Sequence, residues 1–227
     1  MLDVILFGGL PYVVMVLLIG VSVMRYRKEP FTFSSLSSQF LESKRLFWGS
    51  VPFHLGIITL FFGHLIGFLI PRQVWLWNQV PLRLFVLETT AFAAALLAII
   101  GLVGLVLRRI SSPRLRATTS VGDIVTYVAL LCSIITGLWV ALGLRWGSAW
   151  YGHTAVPYIR SVFMLQPEIQ RVAELPLPAR LHILAAWLLF GVFSFTRLVH
   201  ALVAPVPYLW RPTQLVIWNR NRGNKIA

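Results

Sequence analysis

Apolar residues gather in five long blocks along this chain, and polar residues collect in the stretches between them. The blocks span about 4–24, 48–70, 82–107, 124–144 and 179–203. Each is near the ~20 residues that a helix needs to cross a bilayer. No internal repeat interrupts the pattern. It predicts an all-α fold, an integral membrane bundle of five transmembrane helices that takes residues 1–227 as one domain. The first connection, PFTFSSLSSQFLESKRLF, sets Phe31, Phe33, Phe40 and Leu41 among serines and charges, and predicts a surface segment that is partly an amphipathic helix. Pro71–Pro81 is a short loop whose Trp75 and Trp77 suit the headgroup level. The longest connection, 145–178, holds Trp146, Trp150, Tyr151 and Tyr158. It predicts an ordered cap outside the membrane, helical only in part.

Composition agrees. The chain has 227 residues, 58% hydrophobic and 12% charged, with a mean hydropathy of +0.79. Soluble domains carry about 25% charged residues. The net charge of +13 comes from clusters between apolar runs, a topology signal that argues against nucleic acid as a partner. Arg25, Arg27, Lys28, Lys44 and Arg45 follow the first block, Arg108, Arg109, Arg114 and Arg116 the third, and Arg211, Arg220, Arg222 and Lys225 close the chain. The other side receives only Arg72, Arg83, Arg145, Arg160, Arg171 and Arg180. The positive-inside rule then puts the N-terminus outside and the C-terminus in the cytoplasm. Asp3 and the lack of a basic leader argue against a cleaved signal peptide. The single cysteine, Cys132, excludes a disulfide framework within the chain and is expected as a buried small apolar residue.

The candidate chemistry is histidine. His54 and His64 lie in the second block, His182 and His200 in the fifth. An ionisable side chain inside a bilayer span is costly and usually faces a partner in the bundle. Ten residues of helix rise ~15 Å, and eighteen make five turns over ~27 Å, which puts His182 and His200 on one face. The two blocks cross in opposite directions, so depth pairs His54 with His200 and His64 with His182. Neutral imidazole is a good axial ligand for haem iron. Two bis-histidine b haems would use all four, with helix tilt and an oblique haem plane absorbing the unequal separations.

Gly63 and Gly67, and with less weight Gly56 and Gly191, would let a macrocycle approach the backbone, although glycine also serves helix packing. Arg109 and Arg197 are candidate propionate partners at the cytoplasmic end, with plain interfacial anchoring as the alternative. Arg83, at the outer mouth of the third block, is a candidate for a quinone headgroup or the outer propionates, or simply snorkels. His153 is expected as a surface residue without a partner. A haem-free histidine transporter is the main rival. It would bring carboxylates into the membrane, and here only Glu88 and Asp123 stand near block ends. No H-E-x-x-H metalloprotease motif is present.

Particular stretches carry a resemblance. They are Arg25-Tyr26, Ser37-Ser38-Gln39, FHLGI (Phe53–Ile57), GHLIG (Gly63–Gly67), SPRLRATTSVGD (Ser112–Asp123) and RLHILAAWLLFGVFSFTRLVHALVAPVPYL (Arg180–Leu209). Together they make the chain similar to the gamma subunits of respiratory nitrate reductases, a family of membrane dihaem cytochromes b. The resemblance implies a quinol-oxidising subunit of a quinol:nitrate oxidoreductase in a prokaryotic cytoplasmic (inner) membrane. Menaquinol or ubiquinol would be oxidised near the outer haem, held by His64 and His182, close to Gly67. Electrons would then pass to the inner haem, held by His54 and His200, and on to an iron–sulfur beta subunit and a molybdenum alpha subunit. Where the family has a lysine at the outer start of the third span, this chain has Arg83. A cytochrome b subunit of a related heterodisulfide or sulfur-metabolism complex is the alternative within the same architecture.

Overall fold

A computed structural model describes residues 1–33, 38, 41, 45–144 and 150–203. The expectations for Ser37, Gln39, Phe40, Lys44, Arg145 and Trp146 lie outside those residues, as do those for the tail from 204 onward. Among the described residues every regular element is helical. A π-helical turn, Val4–Gly9, runs into α1 (Leu10–Lys28); α2 is Leu46–Leu69, α3 Pro71–Trp77, α4 Pro81–Ser111, α5 Pro113–Ala117 and α6 Val121–Gly143. A second π turn, Tyr151–Ala155, leads into α7 (Val156–Phe163), followed by α8 (Gln170–Ala173), α9 (Leu177–Phe193) and a 3-10 segment, Arg197–Leu202.

Prolines and one capping box decide where several of these helices begin. Pro71, Pro81 and Pro113 open α3, α4 and α5 at the first position, where the missing N–H costs nothing and the fixed φ suits a helix. At α6 the Ser120 hydroxyl accepts from the Asp123 N–H (3.2 Å) and the Asp123 carboxylate accepts from the Ser120 N–H (3.0 Å). This is a reciprocal cap that satisfies two donors otherwise unpaired.

Four helices, Val4–Lys28, Leu46–Leu69, Pro81–Ser111 and Val121–Gly143, are long and apolar enough to cross a membrane. Large apolar side chains such as Val16, Ile19, Phe61, Ile100, Leu107 and Val128 cover their outward faces, as lipid requires. The expected fifth span is different. It is a 17-residue helix, α9, that rises ~25 Å, after which the chain breaks at Ser194–Thr196. Thr196 is extended (φ −116°, ψ −178°) and the 3-10 segment follows. The Thr196 hydroxyl donates to the Phe193 carbonyl (3.1 Å) and accepts from the Leu198 N–H (3.4 Å), a local bonding pattern that competes with the helix ladder. The unbroken helix from His182 to His200 that would put both on one face is therefore absent.

Packing runs α2 on α4, α4 on α6, α6 on α9 and α9 on α1. The first contact is the closest. A Cβ at Gly56 would stand 2.4 Å from the Ala94 carbonyl oxygen, and one at Gly101 2.3 Å from the Phe53 nitrogen. Only glycine lets two helix backbones approach so far. Two apolar cores result. Phe53, Ala98, Leu102, Leu130 and Ile134 join α2, α4 and α6. Phe7, Val14, Tyr158, Val162, Val172 and Trp187 join α1 and α9 to α7 and α8. The long connection thus forms a cap, with more helix than expected. It is pinned by the Tyr158 hydroxyl donating to the Phe7 carbonyl (2.8 Å), while an Arg180–Asp3 ion pair ties α9 to the start of the chain.

Cys132 is exposed on α6, against the expectation of burial. Its neighbours Leu130 and Ile134 turn inward, and a residue between two inward positions of a helix points away from the core.

Candidate functional site

The four histidines of the second and fifth blocks meet as two pairs between α2 and the α9 region. The rings of His54 and His200 have centroids 6.4 Å apart with planes at 63°. Those of His64 and His182 are 6.1 Å apart at 52°. The first pair lies at the end of the bundle that carries Arg108, Arg109 and Arg197, here the basic end, and the second at the end covered by the 150–173 cap.

Each ring has its Nδ1 engaged. His54 Nδ1 lies 2.8 Å from the Ser50 carbonyl, with the Ser50 hydroxyl at 3.2 Å. His64 Nδ1 is 2.8 Å from the Leu60 carbonyl and His200 Nδ1 2.5 Å from that of Arg197. His182 Nδ1 is 3.2 Å from the Thr136 hydroxyl. That hydroxyl donates to the Cys132 carbonyl at 2.7 Å, so it accepts from the ring. An acceptor at Nδ1 fixes the proton there and leaves the Nε2 lone pair for a metal.

The spacing narrows what could sit between the rings. Two imidazoles on opposite sides of one metal, at about 2.0 Å per metal–nitrogen bond, have centroids about 6.3 Å apart. A direct nitrogen-to-nitrogen hydrogen bond of about 2.9 Å would bring them to about 5.2 Å. The observed 6.1 and 6.4 Å are longer than a direct hydrogen bond gives and leave room for a metal between the rings. Among the described residues no group of three or more His, Cys, Asp or Glu side chains gathers around a common point. Each pair therefore offers two imidazole nitrogens as ligands. That suits an iron that brings its own macrocycle and does not suit a bare ion needing four protein ligands.

The remaining expected residues divide. A Cβ at Gly63 would meet nothing within 4 Å, so the space beside His64 is open on that side. Gly67 instead seats a tyrosine, since a Cβ there would be 2.8 Å from the Tyr151 ring. Gly56 is a helix contact, and Gly191 faces Val14 at 3.2 Å, toward α1. Arg109 and Arg197 both bind Asp123. Arg109 Nη1 is 3.2 Å from Oδ2, and Arg197 Nε is 2.6 Å from Oδ1. Arg109 also donates to the Thr119 hydroxyl (3.1 Å), and its buried Nε has no partner within the described residues. Two guanidiniums against one carboxylate leave a net positive charge near His200. Arg83 lies with its guanidinium 4.7 Å over the Trp77 ring, at the exposed start of α4. His153 is exposed but not alone: its ring packs 5.8 Å from that of Trp75.

Several contributors escaped the sequence reading. Tyr151 donates from its hydroxyl to the His64 carbonyl (2.9 Å) and sets its ring 5.5 Å from the His64 ring. Burial pushes that hydroxyl up to about 12, so it stays a donor across the neutral range. Arg160 caps α2 by donating to the Phe68 carbonyl at 2.8 Å. Gly137 lets α6 approach His182, whose Cε1 would be 3.0 Å from a Cβ there. Thr136 and Gly137 carry no sequence signal of their own. Asp123 did have one, the S-x-x-D spacing of a capping box.

The chain is similar to known proteins over most of its length. The family model for the nitrate reductase gamma subunit matches residues 3–219. The chain is 33% identical over 211 residues to the nitrate reductase gamma chain of Bacillus subtilis, covering 91% of this chain and 94% of that one. It is 32% identical over 219 residues to the respiratory nitrate reductase 1 gamma chain of Escherichia coli, covering 95% and 97%. It is 37% identical over 213 residues to the nitrate reductase-like protein NarX of Mycobacterium tuberculosis, where it spans 32% of the longer protein. A match over nearly the whole chain shows that the protein belongs to the nitrate reductase gamma subunit family.

Proposed function

We propose that the chain is the quinol-oxidising, dihaem cytochrome b subunit of a respiratory nitrate reductase. In this reading His64 and His182 hold an outer haem b, His54 and His200 an inner one, and the basic end faces the cytoplasm. The observation that carries it is the pair of ring separations, 6.1 and 6.4 Å, with Nδ1 engaged on every ring. Bound haem b supplies a one-electron iron couple at each end of the bundle.

The chain's own residues supply position, insulation and charge. Backbone and Thr136 acceptors at Nδ1 raise the basicity of the rings and fix their orientation. In this reading lipid against the apolar helix faces, rather than burial within the chain, keeps water from the pairs, since His54 and His64 are exposed on α2. Arg109 and Arg197, sharing Asp123, present cationic donors to carboxylate groups at the basic end. Quinol is oxidised at the cap end, next to the Tyr151-supported His64, and releases its protons on that side. Electrons leave at the basic end to an iron–sulfur beta subunit and then a molybdenum alpha subunit, where nitrate is reduced. Inward electron movement against the membrane potential costs ~2.3 kcal/mol per charge per 100 mV, which the redox reaction must exceed.

The test is a reduced-minus-oxidised spectrum with a haem-to-protein ratio, for the purified wild type and His64→Ala. Two b haems falling to about one supports the assignment. No Soret band, or a ratio indifferent to His64, returns the histidines to proton transfer. Co-purification with a molybdenum-containing subunit separates the nitrate reductase from a related sulfur-metabolism complex.

A further inference from the structure

The break after α9 leaves carbonyls without helical partners inside the bundle, where each needs a donor. Ser194 is fully buried and Thr196 only 5% exposed. Both turn their carbonyls to one side chain of another helix. Arg25 of α1 donates through Nη1 to the Ser194 carbonyl and to that of Thr196 (3.3 Å). Its Nη2 donates to the Thr32 carbonyl at 3.0 Å and its Nε to the Thr32 hydroxyl at 3.4 Å. Alongside, the Ser194 hydroxyl donates to the Leu18 carbonyl (2.9 Å), so in its 2.7 Å contact with Ser22 it accepts.

His200 lies on the 3-10 segment that leaves this break, next to the fully buried Val199. The direction of the segment, and so the aim of the ring at His54, depends on how the chain turns at Ser194–Thr196. His182 stands before the break, on unbroken α9. We propose that Arg25, with Ser22 and Ser194, forms a latch that holds the α9 break and thereby aims His200 at His54. Arg25 is a positioning residue for the basic-end histidine pair and not for the cap-end pair. A forked guanidinium can hold several carbonyls at fixed angles, which the point charge of lysine does not. The inference rests on the dihaem reading above.

The experiment compares the full-length wild type with Arg25→Gln, Arg25→Lys, His64→Ala and the Arg25→Gln/His64→Ala double variant. Haem per protein and the reduced spectrum of each purified chain are the readouts. The latch predicts about one haem in Arg25→Gln, partial recovery of the second in Arg25→Lys, and close to none in the double variant. Two haems with the wild-type spectrum in Arg25→Gln would overturn it. Equal loss from both sites would overturn it as well, because Arg25 would then serve the bundle as a whole. A wild type holding fewer than two haems would instead overturn the reading on which the latch rests.

Discussion

Asp123 holds Arg197 with both carboxylate oxygens, Nε to Oδ1 at 2.6 Å and Nη2 to Oδ2 at 3.2 Å. One buried anion thus ties the start of α6 to the segment that carries His200. The same carboxylate takes Arg109 of α4, so three elements converge on it.

Replacing Asp123 with asparagine leaves two guanidiniums facing a neutral amide. Breaking a buried ion pair costs roughly 3–5 kcal/mol, and the lower end applies because the Arg197 side chain is 29% exposed. Thermal unfolding in detergent should show the loss. In Asp123→Asn/Arg197→Gln the second change should add little, since the two residues share one network.

Tyr151→Phe keeps the ring against Gly67 and removes the hydrogen bond to the His64 carbonyl, at a cost of about 1 kcal/mol. Alkali gives an independent check. Burial raises the Tyr151 hydroxyl from 10.0 to about 12, so the folded state favours the protonated form. Its contribution is complete below pH 10 and is lost as pH rises toward about 12. Tyr158 is raised to about 12 by the same cause. Stability curves for Tyr151→Phe and Tyr158→Phe should each fall less steeply than wild type across that window.

Gly101 and Gly63 should behave in opposite ways. Alanine at Gly101 drives a methyl group to 2.3 Å from the Phe53 nitrogen, and overpacking of this kind costs about 1–3 kcal/mol. Because α2 carries both His54 and His64, haem content should fall at both pairs. Alanine at Gly63 meets nothing within 4 Å and should leave the helical fold intact by circular dichroism. Any loss of haem there should be confined to the His64–His182 pair.

Cys132 faces outward from an apolar helix. In membrane vesicles it should resist a membrane-impermeant maleimide, since reaction needs thiolate and water. Cys132→Ala should shift stability by no more than about 0.5 kcal/mol. Rapid labelling from the aqueous phase would show that this face of α6 does not meet lipid.

The sequence by itself determined the helical membrane character, the positions of four spans and the division of the histidines into two pairs. The first two follow from composition and from the 1.5 Å rise of a helix, both local properties, whereas the pairing came from the opposite directions of the two blocks and needs no unbroken helix between His182 and His200. It also singled out Arg109 and Arg197, but as separate cations, because nothing in linear spacing shows that Asp123 stands between them. Only the tertiary structure decided the break at Ser194–Thr196. Its carbonyls are satisfied by Arg25 of α1, far away in sequence, and an apolar run reads the same whether or not a helix stops inside it. What stands beside the glycines is likewise visible only in three dimensions: Gly56 admits α4, Gly67 seats Tyr151, and Gly191 meets Val14. A missing side chain records that something comes close, and only the fold says what.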